Sequence, residues 1–333
     1  MADLVPVPGV LLDRLGAIGV DVERVLARAG IARAQLAAPR SRVSTAEFFA
    51  LWRAIEEVSG APDLGLRLGA ETLPHKLDVA TMTALHARSL GDALEKIAKY
   101  KRLVCPEEVS VEVAKKEARI HFDWVLGEGD PPRLLVDGTF ASVLALARRG
   151  TEKEIKAVRI ELARRRQDAG ILARHFGCEI RFDAPVDLLV LPEAALAEPF
   201  VTHNADLLAL LLPGLDAELD AQGSRRSLAD DVRLALRRRM CGERPSVEKI
   251  AEELRVSPRT LQRRLGEAGT TYQRLLDEVR YEAARRLLAR TDLDAGEVAF
   301  LLGFEELNSF TRAFQGWEGT TPVRYRAQAR PEA

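Results

Sequence analysis

Two short runs carry side chains able to read the edges of base pairs. In Ser257-Pro258-Arg259-Thr260-Leu261-Gln262-Arg263-Arg264-Leu265 and in Asn308-Ser309-Phe310-Thr311-Arg312-Ala313-Phe314, apolar residues recur four apart, as the buried stripe of a helix does. With Leu261 at 0° and about 100° per residue, Gln262 falls at about 100°, Arg259 at about 160° and Arg263 at about 200°. The same arithmetic from Phe310 puts Thr311 at about 100°, Asn308 at about 160° and Arg312 at about 200°. All six face away from the stripe. Arginine pairs bidentately with guanine O6 and N7, and Gln or Asn with adenine N6 and N7, so these residue types fit the major groove. Ser257, Thr260, Arg264 and Ser309 lie at the helix start or toward the flanks, where hydroxyls and guanidinium groups meet phosphates. A plain solvated helix face is the alternative, and it would as readily carry Glu or Lys at these sites.

The elements that must position these side chains are legible as an internal repeat. Ahead of the first run, Ala251 is small enough for a second helix to cross closely, Val256 plugs a turn, Ser257 caps the next helix and Pro258 suits its first position. That is the grammar of a helix-turn-helix, although Arg255 stands where a turn glycine is usual. Ahead of the second run, Val298, Ala299, Gly303 and Phe304 repeat the pattern with the glycine present. Ala251 to Ala299 and Val256 to Phe304 are 48 residues apart, whereas Leu261 to Phe310 and Leu265 to Phe314 are 49 apart, so the second turn is one residue longer. The units are expected at about 246–267 and 295–317. Between them Thr271 to Arg290 reads as one helix with Tyr272, Leu275, Leu276, Val279, Ala283, Leu287 and Leu288 on its apolar side. Its length, about 30 Å, is comparable with the roughly 34 Å between successive major-groove faces of B-DNA. One chain is thus expected to read two consecutive turns of duplex DNA from one side; a helical bundle whose central helix merely packs is the alternative.

Charge agrees with this division. The 333 residues have a net charge of -1, but residues 224–333 hold 21 basic and 17 acidic residues against 28 and 33 in the rest. From Arg225 to Arg264 there are 12 basic residues to 6 acidic, and 11 of the 12 are arginine, the expected footprint of phosphate and base contact. With 47% hydrophobic and 30% charged residues the chain is of globular composition, long enough for two domains. No apolar run reaches the roughly 18 residues of a membrane span, and Met1-Ala2-Asp3 does not open like a signal peptide. A cytoplasmic location without a membrane partner is expected.

The domain boundary is expected in the polar stretch Asp220 to Arg226, giving a regulatory domain of 1–222 and a reading domain of 223–333. Within the first, residues 10–73 read as short helices, stopped by Gly30, Gly60 and Gly69. Val109, Val111 and Val113, then Ile120, Phe122 and Trp124, alternate as a β-hairpin. A helix after Pro131-Pro132 to about Arg149, a strand around Ile160, a helix over 168–176 and strands over 179–182 and 188–191 follow. Residues 204–220 read as an apolar helix that Pro213-Gly214 should break or kink; Leu207 to Leu219 is expected to serve as core, dimer contact or coupling element. The fold class is therefore an α+β domain followed by an all-α domain of two helix-turn-helix units joined by a long helix.

Polar or aromatic groups set among apolar segments make His86, Tyr100, His121, Trp124, Arg133 and Asp137 candidates for an effector pocket. The five histidines show no HxH or HExxH spacing, and no Gly-rich phosphate loop or GxSxG elbow occurs, so neither a metal, a cofactor nor an enzyme is expected. Cys105, Cys178 and Cys241 lie far apart and read as small buried hydrophobes, with a redox or alkyl-transfer sensor at Cys105 as the alternative.

Residues 228–327 resemble the DNA-binding domain of the AraC/XylS family of bacterial transcription regulators, through Ser257 to Leu265, the Gly303-Phe304 turn, Ser309 to Phe314 and the closing Trp317 to Arg326. The resemblance implies base reading by Arg259, Gln262 and Arg263 and by Asn308, Ser309 and Arg312. It thus favours Ser309 over Thr311, which moves to the phosphate flank. Leu11 to Gly16, Arg42 to Trp52, Asp63 to Gly69 and Phe176-Gly177-Cys178 with Phe182 resemble the arabinose-binding type of N-terminal domain, in which helices precede and interrupt the strands; that label does not imply arabinose. What the resemblance implies is a regulator, more often an activator, that binds a small effector or partner, contacts RNA polymerase and in some members forms a homodimer. A ligand-independent regulator, whose N-terminal half only dimerises or touches polymerase, stays open beside it.

Overall fold

The computed structural model describes residues 5–7, 9–36, 41–71, 78–124, 130–223, 227–239 and 245–329. The chain divides into two compact units, one of Met1–Glu161, Gln167–Arg181 and Asp187–Ser224, the other of Leu162–Arg166, Phe182–Val186 and Arg225–Ala333. Of the residues discussed above, Met1 to Asp3, His75 among the five histidines, Ser224 to Arg226 and Cys241 lie outside the described ones.

The first unit is α+β. Its elements are β1 (Val5–Pro6), α1 (Gly9–Ala17), α2 (Val22–Ala29), β2 (Arg42–Val43), α3 (Thr45–Ser59), α4 (Leu64–Ala70), α5 (Val79–Leu85), α6 (Leu90–Val104), β3 (Glu107–Ala114), β4 (Glu117–Trp124), α7 (Arg133–Thr151), β5 (Arg159–Glu161), α8 (Ala169–Phe176), β6 (Glu179–Arg181), β7 (Leu188–Pro192) and α9 (Ala205–Gly223). Gly30 and Gly60 end α2 and α3 in the left-handed conformation, as stops should. Gly69 does not. It lies inside α4, where a Cβ would stand 2.1 Å from the Gly138 carbonyl oxygen of α7, and at Gly65 it would stand 2.2 Å from that of Leu134. These glycines allow two helices to cross backbone to backbone rather than end one of them.

The sheet has the order β3-β4-β7-β5-β6, antiparallel except for the β5–β6 pair. Its inner strand β7 buries Leu188 to Leu191 on both faces, which is why its sequence is a continuous apolar run rather than an alternation. The expected hairpin pairs Val109 with Phe122 and Val111 with Ile120, and turns at Lys115-Lys116, both at positive φ. Its two strands are buried unequally: Ala118 and Ile120 of β4 are enclosed while Val113 of β3, near the tip, is 49% exposed. Helix α9 runs unbroken through Pro213, contrary to the expected break. Pro213 and Ala209, whose carbonyl loses its N–H partner, are both exposed, so water can serve that carbonyl. Leu208, Leu215 and Leu219 of α9 are buried, the last two against Tyr100 and Leu103, whereas Leu210 is 76% exposed.

The second unit is helical: α10 (Leu228–Arg239), α11 (Val247–Glu253), α12 (Pro258–Glu267), α13 (Tyr272–Arg290), α14 (Ala295–Leu301), α15 (Leu307–Glu318) and α16 (Pro322–Ala329). One core gathers Ile250, Leu261 and Leu265 of the first repeat, Val298, Phe310 and Phe314 of the second, and Leu275, Val279, Ala284 and Leu288 of α13 between them. The connecting helix is therefore the spine on which both repeats pack.

Candidate nucleic-acid interface

Both repeats close their turns in the same way. Val256 N–H donates to the Ala251 carbonyl at 2.9 Å, and Phe304 N–H donates to the Ala299 carbonyl at 2.9 Å. The residue ahead of each donor is left-handed, Gly303 at φ 70° and Arg255 at φ 54°. Arg255 thus takes the conformation a glycine would supply, at a steric cost that only this turn explains. The extra residue of the second turn is also visible: four residues separate α11 from α12 and five separate α14 from α15. Ser246, Ser257, Thr271 and Asp294 cap α11, α12, α13 and α14 with their side chains, caps that fix where each helix begins.

On α12, Leu261 and Leu265 are fully buried while Arg259, Gln262, Arg263 and Arg264 are exposed. On α15, Phe310 and Phe314 are fully buried, Asn308 and Arg312 are exposed, and Ser309 and Thr311 are half-buried. The side chains of Arg259, Arg264 and Arg312 make no hydrogen bond or ion pair among the described residues. Arg263 differs, since its Nη1 lies 2.5 Å from Glu267 Oε1 one turn along α12. The Ser257 and Thr260 hydroxyls lie 2.8 Å apart and the Ser257 oxygen also accepts from Thr260 N–H, so both are engaged in the α12 cap. The 19 residues of α13 span about 28 Å.

Several arginines that contribute to the basic composition are spent inside the unit. Arg233 pairs with Glu278 at 3.0 Å and Asp230 at 3.1 Å, Arg237 with Glu282 at 2.7 Å, and Arg239 with Glu253 at 2.9 Å. These hold α10 to α13 and α11, whereas α12 presents three exposed arginines, Arg259, Arg263 and Arg264, and α15 one, Arg312. A further arginine missed from the sequence is Arg280, 6% exposed and on the apolar side of α13 four residues after Leu276. A charge on a buried stripe was the available signal.

The six pocket candidates of the first unit occupy different surroundings. His86 Nδ1 lies 2.8 Å from the Thr202 carbonyl oxygen, and the buried Tyr100 donates its hydroxyl to Asp216 of α9 at 2.7 Å. His121 sits on β4 between Ser110 and Leu188, and burial lowers its imidazole below the usual range. Trp124 packs its ring 5.7 Å from Phe48 and 5.1 Å from Phe49. Arg133 ties the start of α7 to Glu56 at 2.6 Å and to Asp168, and Asp137 is 2% exposed one turn later. Beside Phe48, the Trp52 indole N–H is buried and has no hydrogen-bond partner among the described residues, a donor the sequence did not single out. Cys105 is buried with its Sγ 3.8 Å from Glu107 Oε2, and burial pushes its thiol up.

Family models agree with both units. The arabinose-binding domain of AraC transcription regulators matches residues 19–200, and a helix-turn-helix domain matches residues 250–328. The chain is 30% identical over 331 residues to the ornithine utilization regulator of Pseudomonas aeruginosa, covering 98% of this chain and 97% of that one. It is 26% identical over 291 residues to the transcriptional regulator VirS of Mycobacterium tuberculosis, covering 86% and 84%. Among solved structures, that of the transcriptional regulator CdpR from Pseudomonas aeruginosa is 24% identical, covers 91% of this chain and 96% of that chain, and gives a TM-score of 0.44. With a family model spanning more than half its length and a relative matched over nearly all of both sequences, this chain belongs to the AraC family of DNA-binding transcription regulators.

Proposed function

We propose that the protein reads two consecutive major-groove turns of its operator, with α12 and α15 as the reading helices, and that a small effector bound by the first unit controls it as an activator. The observation that carries this is the match between the two helices: Arg259 and Asn308, two residues before the fully buried Leu261 and Phe310, and Arg263 and Arg312, two residues after them, are all exposed. In this reading Arg259, Gln262 and Arg263 meet one set of base edges and Asn308, Ser309 and Arg312 the next, while Ser257, Thr260, Arg264 and Thr311 face phosphates. RNA polymerase contact by the bound regulator, and pairing of two chains through the exposed Leu210 side of α9, belong to the same proposal.

A salt-dependent gel shift on the promoter flanking its gene tests the DNA reading. Arg259→Ala and Arg312→Ala should each relax base preference at one position by about 1–3 kcal/mol. Intact specificity in both variants would discard the assigned faces. Effector control is supported by the unpartnered Trp52 N–H beside the Phe48–Trp124 ring group. A thermal-shift screen of metabolites on the full chain tests it, starting from ornithine and related amino acids because one relative regulates ornithine utilization. If no metabolite raises the transition, control by pairing or by polymerase contact alone replaces the effector.

A further inference from the structure

We infer that Arg280 is a positioning residue for the second reading helix, setting the angle at which Asn308 and Arg312 meet DNA while leaving the first reading helix unaffected. The inference rests on the two-unit reading proposed above.

Arg280 lies on the buried side of α13, where a cation needs strong compensation. It finds it at the turn of the second repeat. Its Nε donates to the Leu302 carbonyl at 3.0 Å and its Nη2 donates to the Gly303 carbonyl at 2.9 Å. Both carbonyls stand at the C-terminal end of α14, where intrahelical partners run out and partial negative charge collects. The guanidinium carbon also lies 4.2 Å from the centroid of the Phe304 ring. One flat, forked cation therefore fixes two consecutive carbonyls and the ring that follows them. A lysine would bring the charge without the fork or the face.

Phe304 passes the constraint on. Its ring centroid is 5.5 Å from that of Phe310 and 6.4 Å from that of Trp317, both on α15. The far end of α15 has a separate anchor, where the Tyr281 hydroxyl donates to Glu318 Oε2 at 2.6 Å. The helix is thus pinned at its end by Tyr281 and steered at its start by Arg280, and Asn308 and Arg312 are on its first two turns. The first repeat is tied to α13 elsewhere: the Tyr272 hydroxyl donates to the Pro245 carbonyl ahead of α11, at 2.8 Å. Loss of Arg280 should free one turn only. Helix α15 would remain in the core through Phe310, Phe314 and Tyr281, but its start would no longer hold one direction.

The test uses the full chain and a randomised duplex library. Selection with the unaltered protein should yield two blocks of base preference about 10 base pairs apart, and Arg312→Ala identifies which block α15 reads. Arg280→Met is expected to reduce base discrimination at least tenfold in that block, to leave the other block unchanged and to keep a cooperative thermal transition; Arg280→Lys should fall between. Should Arg280→Met fail to fold, Phe304→Leu, which removes the ring face and keeps an apolar plug, decides by the same readout. Unchanged discrimination in both blocks, or equal loss in both, overturns the inference. Selection of fewer than two blocks by the unaltered protein overturns instead the two-unit reading on which it rests.

Discussion

A Cβ added to Gly69 would stand 2.1 Å from the carbonyl oxygen of Gly138, so α4 and α7 meet at a distance that only hydrogen side chains permit. Gly65 repeats the contact one turn earlier, against the Leu134 carbonyl at 2.2 Å. The crossing seats the start of α7, which carries Arg133 and Asp137, against the helical segment 45–70.

Gly69→Ala should therefore lower stability by about 1–3 kcal/mol, the usual cost of overpacking a close contact. Gly170→Ala in α8, where a Cβ meets nothing within 4 Å, should instead raise it by about 0.4–1 kcal/mol through the unfolded chain. Urea unfolding midpoints of the two variants should move in opposite directions. A neutral Gly69→Ala would mean the two helices can part without cost.

Why Gly69 was misread from sequence is instructive about what patterns encode. A glycine near the end of a short helix looks the same whether it stops the helix or admits a neighbour, because the neighbour, Gly138, is 69 residues away. Local periodicity, by contrast, placed the β3–β4 hairpin, α7 and the two repeats, since burial of one face leaves its period in the chain. The outward faces of α12 and α15 were legible for the same reason. The conformation of Arg255 was not: it stood out in sequence only as a departure from the usual turn glycine, and its positive φ with the matched hydrogen bonds of Val256 and Phe304 shows that both turns close alike. Nor could composition distinguish Arg233, Arg237 and Arg239, paired with carboxylates, from Arg259 and Arg312, because pairing is a property of neighbours across the fold.

The attachment of α9 should weaken in acid. Lys99 Nζ lies 2.7 Å from Asp216, Tyr100 donates its hydroxyl to the same carboxylate, and the Lys99 ammonium first and that hydroxyl next hold it below the usual range. A carboxylate depressed in the folded state adds stability that is complete above its unfolded pKa, about 3.9, and fades as pH falls through the lower folded value. Hydrogen-exchange protection factors over Ala205–Gly223 should then drop below about pH 4 more than those of α7. Asp216→Asn should remove that extra drop. Equal pH dependence in both chains would show that the carboxylate does not hold the helix.

The thiol chemistry of Cys105 should be suppressed in the native chain. The thiolate is the reactive form, and burial raises its cost here more than the nearby Lys101 ammonium lowers it. Alkylation by iodoacetamide near neutral pH should be slower than in the urea-unfolded chain by about a hundredfold or more, read peptide by peptide by mass spectrometry. Cys178 is half-buried and should be slowed less. Native alkylation of Cys105 at the unfolded rate would restore the covalent or redox sensor as a serious reading of the first unit.

Glu267 should restrain the reading of DNA by its neighbour. Its carboxylate is 2.5 Å from the Arg263 guanidinium and both side chains are more than half exposed, so as a fold contact the pair is worth about 0.3–0.5 kcal/mol. Near a polyanion the balance changes, because Glu267 both repels phosphates and occupies the fork that Arg263 would offer to guanine. Glu267→Gln should leave the thermal transition almost unmoved and raise affinity for duplex DNA about three- to tenfold at low salt, with the gain shrinking as salt screens it. Two mechanisms could produce that gain, and a double-mutant cycle separates them. If release of Arg263 is the cause, Arg263→Ala abolishes the gain; if loss of one negative charge is the cause, the gain survives unchanged. Survival would show that Glu267 acts on DNA through its own charge and does not withhold the Arg263 fork.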